Sequence, residues 1–172
     1  MGLVVCTAGC CPGCDICCGV GAGCHADPCT CAKPPPVRVQ QRREKGWRKP
    51  EGAMSVTRST RFGNRFVVSE PVRARGRKPY WLVTLDGGDR VYGPKFFSKL
   101  DAVREAVALH HDHIGTFGLC EISDDDWTLL RGRDLMCYCP LWTPDGDRHP
   151  CHADTLLRYA NPDVVFPWAP PD

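Results

Sequence analysis

Nine of the 13 cysteines in this 172-residue chain lie within its first 31 residues, and this density most constrains what the chain can fold into. The segment contains no run of large apolar side chains that could form a core. Its cysteines must therefore be tied to one another or to a metal ion. The candidate metal ligands of this segment are Cys11, Cys14, Cys17, His25, Cys29 and Cys31.

Two sets of these ligands have the spacing of zinc sites. The first set is Cys14, Cys17, His25 and Cys29, and the second combines Cys11 and Cys14 with Cys29 and Cys31. We expect the segment to bind zinc through one of these sets, and a disulfide-bonded or unfolded segment is the alternative.

The remaining composition indicates a cytoplasmic protein without a membrane partner. No apolar stretch approaches the roughly 20 residues that span a bilayer, and residues 2–5 are too few for the apolar part of a signal peptide. In a reducing cytosol, clustered cysteines bind metal more often than they form disulfides. The sequence leaves the oligomeric state open.

Charge is distributed unevenly along the chain, although the net charge is only +2. Residues 37–78 carry 13 Lys and Arg against three Glu, whereas residues 79–172 carry eight against 15 Asp and Glu. A basic segment beside an acidic body is a plausible nucleic-acid footprint. The residues that would bind nucleic acid are Arg42, Arg43, Arg75 and Arg77. A solvated basic linker is the alternative interpretation.

The chain divides into four predicted parts. Residues 1–31 form the Cys-rich segment, residues 32–53 a linker rich in proline and basic residues, residues 54–162 a domain, and residues 163–172 a loose tail. For the fold we expect a small α/β domain with a short sheet and flanking helices, preceded by a Cys-rich irregular segment.

Local signals place the elements of this domain. Strands are predicted at residues 66–68, 80–85, 90–92 and 134–139, and the acidic, glycine-rich stretch at residues 86–89 indicates a hairpin. Ser98 and Ser123 are predicted to cap two helices. A third helix is predicted over residues 151–159, where an Asn-Pro pair ends it.

Two motifs carry a resemblance to a known family. Residues 130–140, Leu-Arg-Gly-Arg-Asp-Leu-Met-Cys-Tyr-Cys-Pro, precede a Cys-His-Ala-Asp stretch at residues 151–154, and Arg-Phe-Gly-Asn-Arg-Phe occupies residues 61–66. Over residues 57–161 the chain resembles domain-of-unknown-function family 4326, found in bacteria and their phages. The family pattern has Lys at position 133, Trp at position 138 and Pro at position 65. The resemblance implies a fold and a site but no activity.

The residues of this second site allow three interpretations. In the first, the predicted helix start binds an anion such as a nucleotide, with Arg61, Asn64, Cys137, Cys139 and Asp154 as ligand-binding residues. A Cys151 thiolate stabilised by the helix start, with His152 as its neighbour, would be the catalytic pair of a reactive version of this pocket.

The second interpretation is a metal site formed by three cysteines and His152. Regular strand spacing separates Cys137 and Cys139 by about 6.6 Å, whereas tetrahedral zinc needs sulfur atoms about 3.8 Å apart, so the strand would have to bend. In the third interpretation the cysteines only fill the core as small apolar side chains.

From these alternatives we expect an accessory protein that binds a nucleotide or nucleic-acid moiety at the Cys151 helix start. A phage genome is one expected source of such a protein. Whether it is an enzyme stays open. The alternative is a non-enzymatic zinc module that binds DNA or RNA through its basic segment.

Overall fold

A computed structural model describes residues 34–114 and 121–168 of the chain. The chain divides into two units, Met1–Pro35 and Pro36–Asp172, and the elements below belong to the second. All candidate zinc ligands of the Cys-rich segment lie outside the described residues. Among the described residues, no helix is long and apolar enough to cross a membrane.

The second unit has an α/β fold, as the sequence predicts, but its strands form two small sheets rather than one. The strands are β1 (Arg38–Gln40), β2 (Met54–Ser55), β3 (Phe66–Val68), β4 (Trp81–Leu85), β5 (Val91–Phe96) and β6 (Leu135–Cys137). The helices are α1 (Lys99–Asp112), α2 (Asp124–Leu130) and α3 (His152–Ala160).

The first sheet is parallel and has the order β1-β6-β2. Its central strand, β6, is fully buried and consists of Leu135, Met136 and Cys137. A short apolar run of this kind is typical of a parallel strand that is covered on both faces. Strand β1 lies in the segment predicted to be a linker, so the folded unit begins before the predicted boundary at residue 54.

The second sheet is antiparallel and has the order β3-β4-β5. The predicted hairpin joins β4 to β5, and Asp86 and Gly87 in its turn have φ values of 51° and 75°. Positive φ at two successive positions is the geometry of the tight turns that suit the twist of a hairpin. An ion pair between Arg65 and Asp86 links this turn to the residue before β3.

The three helices begin near the predicted positions. The Ser98 hydroxyl accepts a hydrogen bond from the Asp101 N–H at the start of α1, and Ser123 forms a complete capping box with Asp126 at the start of α2. Cys151 is the N-cap residue of α3, and its backbone is extended. The sequence placed this helix start one residue earlier.

Two apolar clusters stabilise the unit. The larger cluster joins α3 to the parallel sheet and includes Leu135, Leu156 and Leu157, none of which is exposed. Phe166, from the segment predicted to be a loose tail, is also buried in it. The smaller cluster packs α1 on the antiparallel sheet. The C-terminal end of β6 and the start of α3 meet in the larger cluster, and the candidate site lies at this junction.

Candidate metal centre

Three cysteines converge where β6 ends and α3 begins. The sulfur atoms of Cys137, Cys139 and Cys151 all lie within 4.8 Å of one another, and the Cys137 and Cys139 sulfurs are 3.3 Å apart. The strand ends at Cys137, so the regular strand spacing assumed in the sequence analysis does not apply to Cys139. The expected distance between these two sulfurs therefore no longer argues against a metal site.

Burial differs among the three side chains. Cys137 is 5% exposed and Cys151 is 1% exposed, whereas Cys139 is partly exposed. All three are free thiols. The group is therefore open to solvent on the Cys139 side and closed by the core on the other.

The three thiols differ in the direction in which their pKa values are shifted. Hydrogen bonds from Cys137 and Cys139, together with the positive charge of Arg38, lower the pKa of Cys151 well below its ordinary value, although burial opposes this effect. Hydrogen bonds to Cys137 and Cys151, and then burial, raise the pKa of Cys139. The directions of these shifts make Cys151 the most acidic of the three thiols, with Cys137 and Cys139 as the neighbours that stabilise its charged form.

The pKa of Cys137 results from opposing effects. The hydrogen bond with Cys139 lowers the pKa, but the hydrogen bond with Cys151, burial and the electrostatic interaction with Cys151 outweigh it and leave the pKa of Cys137 raised. Since metal ions bind thiolates, an ion at this group would displace the protons of Cys137 and Cys139.

His152 contacts the Cys151 sulfur on one side of its ring and the backbone on the other. Its Nε2–H donates a 2.6 Å hydrogen bond to the Val56 carbonyl oxygen, and its Nδ1 is 3.9 Å from the Cys151 sulfur. The ring of His110 in α1 packs edge-on against it, with centroids 5.4 Å apart. The three cysteines thus come together without His152 as a fourth member of the group.

Asp154 takes part in a charged network that the sequence analysis did not predict. Its carboxylate accepts hydrogen bonds from Arg38 at 2.7 Å and from Arg148 at 2.6 Å. The Arg38 side chain has no exposed surface. An arginine between two valines in a proline-rich segment gives a weak signal, and the partners of Arg38 lie more than 100 residues away.

The two residues of the N-terminal motif that were predicted to bind a ligand contact other elements. Asn64 donates to the Ala106 carbonyl in α1 and accepts from the Phe66 N–H in β3, both at 2.8 Å. Arg61 forms an ion pair with Asp126 at the start of α2, at 2.5 Å. Neither contact involves the cysteine group.

Gly63 of this motif is required because there is no room for a side chain, and not because of its φ value. A Cβ atom at Gly63 would lie 2.5 Å from the Arg58 Cα and 2.6 Å from the Thr57 carbonyl oxygen. The observed contacts of the motif therefore join helices and strands to one another.

The predicted nucleic-acid residues are exposed, and one of them lies beside the site. Arg43 stacks over the ring of Tyr138, with its guanidinium carbon 4.8 Å from the ring centroid. Arg42 pairs with Glu44 at 3.7 Å. Arg75 and Arg77 lie in the exposed stretch before β4.

A cleft of about 1000 Å³ runs along α3 beside the cysteines. Its lining includes Arg148, Arg158, Tyr159, Cys151 and Trp168. The Arg148 guanidinium carbon lies 4.1 Å from the centroid of the Trp168 ring. The cleft thus combines cationic and aromatic groups, which suit an anionic ligand with a flat ring.

Comparison with known proteins gave one result. The model of a family described as Domain of unknown function (DUF4326) matches residues 39–162, a range that contains all three cysteines and most of β1. Neither a curated protein nor a solved structure matches the chain.

Proposed function

The chain belongs to the DUF4326 family, and because that description assigns no activity we propose from the geometry that its domain binds one thiophilic divalent ion, zinc by preference. Cys137, Cys139 and Cys151 would hold the ion. The observation that carries the proposal is the convergence of three sulfurs within 4.8 Å. Thiolates select soft or borderline ions such as zinc.

The burial of the thiols favours a metal site over a nucleophile. A catalytic thiolate must reach its substrate, but the Cys151 sulfur, which has the lowered pKa, belongs to a residue only 1% exposed. Simple packing does not require three thiols to point at one spot. A bound ion would bind the Cys151 sulfur as a thiolate.

Three protein ligands leave one position of a tetrahedral zinc ion for water or another small ligand. The partly exposed Cys139 marks the side from which that ligand would enter. Zinc in such a site makes bound water more acidic and polarises a bound carbonyl or phosphoryl oxygen. We place this domain in the cytoplasm, where thiols stay reduced.

Metal content of the purified full chain tests the proposal. Under reducing conditions, simultaneous replacement of Cys137, Cys139 and Cys151 by Ser should remove about one equivalent of zinc per chain. Thr155→Ser, which alters a buried side chain of α3 outside the cysteine group, is the matched control and should remove none. Because the Cys-rich segment is present in every variant, the test uses the difference in zinc content between the wild type and the triple variant, and not the absolute zinc content. Equal zinc in the wild type and the triple variant would refute the proposal.

A second candidate function is the binding of a nucleotide beside the helix start, and the cleft along α3 supports it. Arg148 and Arg158 supply positive charge there, and Trp168 supplies an aromatic ring that stacks with Arg148. Calorimetric titration with ATP and with inorganic phosphate tests this candidate. Trp168→Ala should weaken ATP binding, whereas Trp142→Ala, which alters an exposed ring outside the cleft lining, should not.

A further inference from the structure

Arg38 is a buried cation at the junction that holds the three cysteines. Its side chain has no exposed surface, although it is carried by β1, a strand at the edge of its sheet. Burying an ionised side chain is costly unless it is paired and hydrogen-bonded. The partners that offset this cost indicate what the residue is for.

The partners of Arg38 lie at both ends of the loop that connects Cys139 to Cys151. Its guanidinium donates to the carbonyl oxygens of Pro140 at 3.1 Å and Leu141 at 3.0 Å, directly after Cys139. It also donates to the His149 carbonyl at 2.8 Å, two residues before Cys151. One planar donor group therefore fixes both ends of the loop, and with them the two cysteines that β6 does not carry.

The charges around Arg38 complement those of a metal–thiolate group. Three thiolates and one divalent ion carry a net charge of minus one. Arg38, Arg148 and Asp154 form one hydrogen-bonded group with a net charge of plus one. The two groups together are neutral, which is the condition under which burial of both is least costly.

We propose that Arg38 is the positioning residue of the metal centre, and that its buried charge neutralises a three-thiolate site occupied by a divalent ion. The inference rests on the proposed metal function. It adds an outer-shell residue to the ligand set, and such residues orient ligands and tune metal affinity.

Cobalt titration of the full chain tests the role of Arg38. Cobalt(II) takes the place of zinc and gives absorption bands that report thiolate number and tetrahedral geometry. The signal of the site is the part lost in the Cys139→Ser variant. For that part, Arg38→Met should weaken affinity about 10- to 100-fold, and Arg38→Lys, which keeps the charge, should recover most of the loss. Arg65→Met, which removes an ion-paired arginine beside the other sheet, is the matched control and should have no effect.

The Asp154→Asn variant distinguishes two roles of the Arg38 network, which are balancing the charge of the metal site and only supporting the fold. The substitution removes a negative charge but keeps an oxygen that can accept from Arg38. If charge balance governs the site, the apo-protein should melt at a lower temperature while cobalt affinity rises several-fold. If the network only holds the loop, both quantities should fall together, and the inference is then overturned.

The remaining outcomes distinguish this inference from the proposed function. A wild-type chain with no cobalt signal that depends on Cys139 refutes the metal site itself. A normal signal in the wild type with unchanged affinity in Arg38→Met refutes only the role of Arg38. Equal losses in Arg38→Met and Arg38→Lys also refute the charge role, provided that circular dichroism shows both variants folded.

Discussion

The stability of the domain should depend on pH through His110, and the structure gives the size of the effect. His110 is only 1% exposed. Burial, and then the nearby imidazoles of His152 and His111, lower its pKa from 6.5 to about 3. The folded state therefore keeps His110 neutral at a pH at which the unfolded chain protonates it.

The direction of this effect follows from proton linkage. Because the pKa of His110 is lower in the folded state, its contribution to the free energy of unfolding is complete above pH 6.5 and is lost progressively as the pH falls toward 3. At pH 5 the loss relative to pH 7 should be about 2 kcal/mol, since each unit of pKa difference corresponds to about 1.4 kcal/mol.

Urea denaturation at pH 7 and pH 5 measures this loss. His110→Gln should reduce the difference between the two pH values by about 2 kcal/mol, whatever it does to stability at pH 7. His149→Gln is the matched control, because His149 lies in the loop before α3 and is not among the groups that lower the pKa of His110, so its replacement should leave the difference unchanged. The reasoning fails if the wild type and His110→Gln lose equal stability between the two pH values.

Three further predictions follow. Zinc at a free concentration 100-fold above its Kd should stabilise the wild type by about 2.7 kcal/mol more than Cys139→Ser, measured by thermal melting; equal stabilisation would contradict the ligand assignment. Asn64→Ala should lower the free energy of unfolding by about 2 kcal/mol, because it removes the side-chain acceptor of the buried Phe66 N–H and a second hydrogen bond to the Ala106 carbonyl of α1; no measurable loss in a urea titration would contradict this. If the basic segment binds DNA or RNA, reversing the charges of Arg42 and Arg43 should weaken binding and reduce the salt dependence measured in filter-binding assays; an unchanged salt slope would exclude these residues.

Elements with local signals were predictable from the sequence. The two serine caps and the hairpin turn depend on residues within four positions of one another, so their signals survive in the sequence alone. The strands β3 and β4 and the three helices lie within a few residues of their predicted bounds.

Strand β1 was not predictable for the opposite reason. It has three residues, and it exists because Arg38, Val39 and Gln40 pair with β6 almost 100 residues later. The Asp134 carboxylate fixes the register by accepting a hydrogen bond from the Val37 N–H at 2.9 Å. Composition indicates a linker here, and only the distant partner strand overrides that indication.

The chemistry of the candidate site was visible in the sequence, but its geometry was not. The motif identified all three cysteines, and regular strand spacing then argued against a metal ion. That argument failed because β6 stops at Cys137, where the chain bends before Cys139. Arg38 donates hydrogen bonds to the two carbonyl oxygens that directly follow Cys139, beyond this bend, and its distance in sequence hid that contact.

The two family motifs are joined by α1 rather than by a shared ligand. Asn64 in the first motif fixes the Ala106 carbonyl of α1. His110 lies about one turn further along that helix, and its ring packs against His152 of the second motif. His152 in turn holds the Val56 carbonyl and lies beside the Cys151 sulfur. The polar residues of the first motif thus look like ligands in the sequence, but in the fold they bind the backbone and the helix that packs against the second motif.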